Sequence, residues 1–311
     1  MDIRSIVIAG PTGVGKTELS LLLAEDIFEI ISFDSVQIYK YLDIGSGKPD
    51  KVQRQKVRHH LIDIVEPDSD FSAGDFVRFA GESLAEIEKS GKESLFVGGT
   101  GLYIDSIFGG LSQIPPVENQ IREEIIREIE IKGLDFLHGE LMKIDRHFGE
   151  KVHPNDRQRI IRGLEVFRGT GKPLSSYYAV EDNTTGQDIL YVGLYEEREA
   201  LVERTARRVD RMMEEGFLEE VRSLRERGFG PELKSMRTIG YLELNRYLDG
   251  LTGLSEAIES IKIETRRYAK RQMTWFRKNK KINWFHRLET DRIQKLVGDW
   301  LKKQKNKYRG M

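Results

Sequence analysis

Hydrophobic and polar positions change period several times along the chain, and each change marks an element. Ile6, Val7 and Ile8 form a short, continuous apolar run ending at Gly10, as in a strand buried on both faces. From Thr17 a helical pattern opens with Leu19, Leu21, Leu22 and Leu23. Residues 28–33 read as a second buried strand ended by Asp34, and 59–65 as a short strand closed by Glu66-Pro67. Ser72-Ala-Gly-Asp75 is a capping box before a helix that turns Phe76, Phe79, Ala80, Leu84 and Ile87 inward and stops at Gly91. Core strands follow at 94–97 and 188–194, the latter leading into a long charged helix over 197–215. Apolar strands alternating with helices predict an α/β fold on a parallel sheet.

From Pro115-Pro116 that alternation stops. Ile121, Ile125, Ile126 and Ile129 keep helical spacing within 119–131, and a second helix covers 134–144. A third starts at Pro154-Asn155-Asp156, carries Ile160, Ile161, Leu164 and Phe167 inward, and ends in Gly169-Thr-Gly-Lys-Pro173. Arg159 and Arg162 lie three apart on its outer face. The expected organisation is an α/β core of 1–116 and 186–311, interrupted by a helical insertion at 117–185 and finished by basic C-terminal helices.

Gly10, Pro11, Thr12, Gly13, Val14, Gly15, Lys16 and Thr17 match G-x-x-x-x-G-K-[ST], the P-loop, between a strand and a helix as its chemistry requires. Glycines let backbone N–H groups turn around phosphate oxygens while the following helix presents its positive end. Lys16 would reach the terminal phosphate and Thr17 would offer its hydroxyl to Mg²⁺, so the segment predicts a di- or triphosphate site. Asp34, at a strand end beside this loop, suits a catalytic carboxylate, and equally an Asx-turn. The arginines of the 197–215 helix (198, 204, 207 and 208) can close over phosphates or pair with neighbouring glutamates. His59 and His60 are adjacent on a strand and point to opposite faces, which argues against a shared metal. The strand at 94–97 ends in Gly98-Gly-Thr-Gly-Leu-Tyr103, where a motor-type ATPase would carry a carboxylate. The bound phosphate is therefore expected not to be hydrolysed in that manner.

At 311 residues the chain can form two domains, or one with a large insertion. It has no cysteine, which excludes disulfides, zinc ribbons and thiolate catalysis. The first apolar run is too short to span a bilayer and leads straight into the P-loop, so a cytoplasmic protein is expected. The net charge of −1 hides an asymmetry, because 261–311 holds 17 Lys and Arg against 4 Asp and Glu. With Tyr268, Trp275, Phe276, Trp284 and Phe285 set among those cations, the region suits either a polyanionic partner such as nucleic acid or a solvated helical face.

Taken together, these motifs resemble the bacterial tRNA dimethylallyltransferases, or isopentenyl-pyrophosphate transferases. The resemblance runs through Gly10–Thr17, Asp34–Tyr39 with Asp43-Ile-Gly-Ser-Gly-Lys-Pro49, Gly98–Tyr103, and Asp156-Arg-Gln-Arg-Ile-Ile-Arg162. It continues through Arg208-Val-Asp210, Ile239-Gly-Tyr241, Tyr268-Ala-Lys-Arg-Gln272 and Trp275-Phe-Arg277. It implies transfer of the dimethylallyl group from dimethylallyl diphosphate to N6 of the adenosine 3′ of the anticodon. The P-loop then serves a diphosphate leaving group, with Mg²⁺ as cofactor and Arg208 as a further diphosphate contact. It also implies that Asp34 is the general base, that Lys16 and Thr100 act at the reacting centre, and that Asp34, Ser35, Val36, Gln37 and Thr100 meet tRNA. Arg122, Gln158, Arg159, Ile160, Ile161, Arg162, Lys270, Arg271 and Gln272 are the remaining implied tRNA contacts. The expected partners are a tRNA anticodon stem-loop and the allylic diphosphate, without a membrane, and the expected state is a monomer. A small-molecule P-loop kinase or an adenylate isopentenyltransferase would share the loop, but neither needs the basic C-terminal region. A non-enzymatic RNA-binding protein would not need Asp34 and Thr100 at strand ends.

Overall fold

The computed structural model describes residues 3–24, 26–110, 114–178 and 188–308. Strands β1 (Arg4–Ala9), β2 (Phe28–Phe33), β3 (His59–His60), β4 (Glu93–Gly98), β5 (Asp188–Tyr195) and β6 (Asn283–His286) form one sheet. Its order is β3-β2-β4-β1-β5-β6 and every neighbouring pair is parallel. The helices in chain order are α1 (Lys16–Ala24), α2 (Lys51–Lys56), α3 (Ala73–Lys89), α4 (Gly101–Gly109), α5 (Asn119–Lys132), α6 (Leu134–Ile144) and α7 (Arg146–Gly149). They continue as α8 (Arg157–Thr170), α9 (Arg198–Glu214), α10 (Phe217–Glu226), α11 (Tyr241–Leu248), α12 (Leu254–Phe276) and α13 (Thr290–Tyr308).

Contacts divide the chain into Met1–Phe108 with Gly186–Met311, and Gly109–Thr185. In the first unit, Val7, Ile31, Phe33 and Phe96 on one sheet face pack with Phe76 of α3, Ile104 of α4 and Phe276 of α12. Ile6, Ile8, Ile30 and Leu95 on the other face pack with Leu19 of α1 and Ile293 and Val297 of α13. A further core joins Val209 of α9, Phe217 and Val221 of α10, Tyr241 of α11 and Ile261 of α12 around Ile38 and Leu42. The second unit is helical and closes on Ile125, Leu137, Leu141, Ile160, Ile161 and Leu164. The expected insertion end at 185 lies outside the described residues.

Two elements differ from expectation. The 59–65 strand stops after His60, because Leu61 and Asp63 take positive φ of 61° and 58°. The Asp63 carboxylate fixes this turn by accepting from Lys48 Nζ and Arg54 Nη1, each at 2.6 Å. His60 Nε2 then lies 2.7 Å from Glu29 Oε2, while His59 Nδ1 lies 2.7 Å from the Val57 carbonyl, so the two rings do diverge. In the basic C-terminal region, residues 283–286 form β6 rather than helix, with Trp284 packed on Gly193 and Phe285 on the core. Trp275 Nε1 donates to Asp105 Oδ2 at 2.8 Å and Phe276 is buried. Among those aromatics, Tyr268 lines a cavity whose wall includes Thr12 of the P-loop. Among the described residues no helix is long and apolar enough to cross a membrane.

Candidate active site

Strands β1, β4 and β2 end in step: Ala9 pairs with Gly98, and Gly98 with Phe33. The residues that follow, Gly10, Gly99 and Asp34, therefore leave the carboxyl edge side by side, where α/β sheets bind ligands. The Thr100 amide donates to the Phe33 carbonyl at 3.2 Å, and Thr100 Oγ1 accepts from the Ser35 amide at 3.1 Å. Asp34 Oδ1 accepts from the amides of Val36 (2.9 Å) and Gln37 (3.4 Å). This is the Asx-turn, and it coexists with a place at the site because Oδ2 has no hydrogen bond among the described residues.

The phosphate loop wraps its own lysine. Lys16 Nζ donates to the carbonyls of Gly10 and Pro11, both at 2.9 Å. Burial pulls its pKa down to about 8, against the opposing charge of Asp34. The α9 arginines divide by role. Arg204 Nε donates to the Gly13 carbonyl at 3.0 Å, Arg207 pairs with Glu203, and Arg208 turns into the cavity. Burial lowers the Arg208 pKa as well, and Asp34 again opposes it. Gly47, at φ +61°, lies so close to this guanidinium that a Cβ would overlap it.

A cavity of about 580 Å³ is lined by Lys16, Thr17, Asp34, Gly98, Arg204 and Arg208. A second, of about 320 Å³, is lined by Val36, Met212, Phe217, Ile239, Ile261 and Tyr268. Thr12, Asp34, Ser46 and Arg208 belong to both walls. Burial, then the Asp34 charge, pushes the Tyr268 pKa up to about 12, so its phenol stays neutral and able to donate. No group of three His, Cys, Asp or Glu that could hold a metal occurs among the described residues. The donor set, Thr17 with Asp34 nearby, is hard oxygen and sparse. It fits Mg²⁺, which takes most of its ligands from phosphate and water.

The other implied residues separate into three groups. Gln37 accepts from Ser32 Oγ at 2.9 Å and donates to the Gly47 carbonyl at 3.3 Å, so its side chain builds the cavity wall. Gln272 is buried: Oε1 accepts from the Thr12 amide at 2.8 Å and Nε2 donates to the Gly99 carbonyl at 3.0 Å. It frames the phosphate loop, with both ends of its amide engaged in protein contacts. Lys270 and Arg271 are exposed, and Arg271 lies over the Tyr268 ring, 5.7 Å from its centroid. In the helical unit Gln158 and Arg159 are exposed, but Ile160 and Ile161 are 0% and 3% exposed. The helical period of α8 spends both side chains on the core of this unit. Arg122 Nη1 and Arg162 Nη1 reach the buried Glu165 carboxylate at 3.0 and 3.6 Å. Sequence reasoning missed Tyr178, an exposed ring near the Arg159 and Arg162 charges, and Glu220, described below. An aromatic after Gly169–Pro173 was the available signal for the first; nothing local marks the second.

A family model described as IPP transferase matches residues 37–279. The tRNA dimethylallyltransferase of Syntrophobacter fumaroxidans is 44% identical over 294 residues, covering 93% of this chain and 85% of its own length. The solved tRNA isopentenylpyrophosphate transferase of Bacillus halodurans has a TM-score of 0.72 at 36% identity, covering 98% of this chain and 99% of that one. A eukaryotic dimethylallyltransferase solved acting on tRNA has a TM-score of 0.78 at 31% identity, covering 92% of this chain and 74% of that one.

Proposed function

This chain belongs to the IPP transferase family, and from that premise we propose that it transfers a dimethylallyl group from dimethylallyl diphosphate to N6 of the adenosine 3′ of the anticodon in tRNA, releasing diphosphate. The observation that carries this reading is the place of Asp34 in the wall common to both cavities. The larger cavity, with Lys16, Arg204, Arg208 and the loop amides, suits a diphosphate. The smaller offers what a nucleobase needs: apolar faces from Val36, Met212 and Ile261, with Thr238, Tyr268 and Arg271 as polar partners. A donor in one and a base in the other meet beside Asp34.

In the transfer, the C1–O bond to diphosphate breaks as the N6–C1 bond forms. Charge growing on the leaving oxygen is taken up by Lys16, Arg208 and the loop amides. The N6 proton passes to Asp34 Oδ2, while Oδ1 stays anchored by the Val36 and Gln37 amides. Thr17 would offer its hydroxyl to Mg²⁺, which when bound would add to the neutralisation of the diphosphate. No attacking water is needed, in keeping with glycines at the end of β4. A loop base leaves its stack at lower cost than a paired one, which favours the anticodon loop over a duplex. Exposed Lys270, Arg271, Gln158 and Arg159 supply contacts to the RNA, and the cytoplasm is where the substrate is met.

The test offers labelled dimethylallyl diphosphate with undermodified tRNA or, separately, with AMP. Label recovered on adenosine of digested tRNA is the expected result. Label on AMP alone, or phosphoryl transfer from ATP in place of prenyl transfer, overturns the reading.

A further inference from the structure

The turn at 43–49 lines both cavities yet is held from behind by a residue that touches neither. Glu220, half-buried on the first turn of α10, accepts through Oε2 from the amides of Asp43 (3.0 Å) and Ile44 (2.7 Å). Its Oε1 accepts from the Gly45 amide at 3.2 Å and the Tyr241 hydroxyl at 2.7 Å. A carboxylate has about four lone-pair sites, and here all four find donors. Three successive backbone N–H groups converging on one anion form a nest, in this case filled by the protein's own side chain.

The turn transmits this grip to the cavity. Gly45 seats against the Phe217 and Tyr241 rings, with no space for a Cβ. Two residues on, Gly47 bears against Arg208, and its carbonyl accepts from Gln37. Ser46, between them, faces both cavities. Lys48 pins the far end by donating to the Tyr39 carbonyl (2.7 Å), Asp43 Oδ1 (2.8 Å) and Asp63 Oδ1 (2.6 Å). Arg208 has the nearby charges of Asp34 and Lys16 before it and this turn beside it.

We propose that Glu220 is a positioning residue for the donor: by holding the 43–47 turn it sets where Arg208 and Ser46 stand opposite Lys16 and Asp34, and so how tightly the diphosphate is bound. This rests on the reading of the larger cavity as the donor site. The charge and length of the side chain both matter. Gln keeps one acceptor oxygen but turns an NH₂ toward backbone N–H groups, whereas Asp keeps the charge and retreats by one methylene.

The experiment measures inorganic diphosphate binding by calorimetry, together with KM and kcat for dimethylallyl diphosphate and KM for tRNA. Glu220→Gln is expected to weaken diphosphate binding and raise donor KM together, by about 10- to 100-fold, the scale seen for outer-shell partners. The tRNA KM should stay within about twofold, and Glu220→Asp should recover part of the loss. In an Arg208→Ala background, Glu220→Gln should add less than it does in the wild type, because the part of its effect that runs through that arginine is already lost. Gly47→Ala tests the other end of the same linkage and should also weaken diphosphate binding, should the Gln variant not fold. A folded Glu220→Gln protein with wild-type diphosphate affinity overturns the proposal, as does a Gly47→Ala protein with wild-type affinity. A wild-type protein that binds diphosphate but does not prenylate tRNA overturns the functional reading instead.

Discussion

Asp34 accepts the Val36 amide through Oδ1 at 2.9 Å, so one carboxylate oxygen fixes the turn that aims the other. Asparagine retains that acceptor and loses only the proton-accepting oxygen. Asp34→Asn should therefore fold, bind donor and tRNA normally, and lose about 10²- to 10⁴-fold in the chemical step. Single-turnover transfer at the wild-type rate would leave Asp34 with its turn and no role in catalysis.

Lys16→Ala removes the ammonium that the Gly10 and Pro11 carbonyls hold over the loop. With one donor to the departing diphosphate gone, about 3 kcal/mol of transition-state stabilisation should go with it. Circular dichroism should match wild type while kcat falls by two orders of magnitude or more; near-normal turnover in a folded variant contradicts the donor site.

Gln272→Ala leaves the Thr12 amide and the Gly99 carbonyl without their partner. The expected loss is about 1–3 kcal/mol of stability, the usual cost of orphaning buried polar groups. Donor KM should rise, since Thr12 lies in the phosphate loop. Urea unfolding at constant m-value reads the first effect, and steady-state kinetics the second.

Two surface changes should weaken tRNA binding in different ways. Lys270→Ala removes an exposed cation and should flatten the log K against log salt slope by roughly one unit or somewhat less. Tyr178→Ala removes a 46% exposed ring beside Arg159 and Arg162. It should cost about 1–3 kcal/mol, as for a lost base-stacking platform, and leave the slope unchanged. Filter binding at several salt concentrations separates them, and equal slope changes in both would contradict the stacking role.

Acid should loosen the donor site before it unfolds the protein. Burial raises the Glu220 pKa above the ordinary glutamate value, while the amides of 43–45 and the Tyr241 hydroxyl pull it back. The charged neighbour on the turn is Asp43, itself paired with Lys48; Tyr241, facing from α11, is held neutral by burial and by the Glu220 charge. As pH falls through this raised value, Glu220 gains a proton and loses acceptor capacity. A carboxyl with a raised folded-state pKa binds that proton more tightly when folded, so this group does not itself drive unfolding there. Diphosphate affinity should decline with acid while circular dichroism holds, and Glu220→Gln should lack this limb. Parallel loss of affinity and fold would refute it.

What was legible in the sequence was local. Gly10–Thr17 declares its chemistry within one turn, and Asp34 stands where an apolar run ends. The register Ala9–Gly98–Phe33 that sets Gly10, Asp34 and Gly99 together is a long-range fact, although the run of apolar strands foretold its sheet. The bracing role of Gln272 and the place of Glu220 were hidden for one reason: a polar residue on a charged helix looks solvated until its partners are known, and these lie 260 and about 175 positions away. Residues 283–286 were masked by the lysines before them, since a short edge strand against β5 needs few residues. Ile160 and Ile161 show the opposite: their helical period had already assigned their side chains to a core.

The hydrogen bonds of Gln272 to Thr12 and Gly99 also carry a consequence for synthesis. The phosphate loop leaves the ribosome 260 positions ahead of the amide that braces it. Translation must pass residue 272 and expose α12 before the loop acquires its final shape. A nascent or truncated chain carrying the whole P-loop motif would still have an unbraced loop. Competence to hold the donor thus waits for α12, the same helix that carries the exposed Lys270 and Arg271.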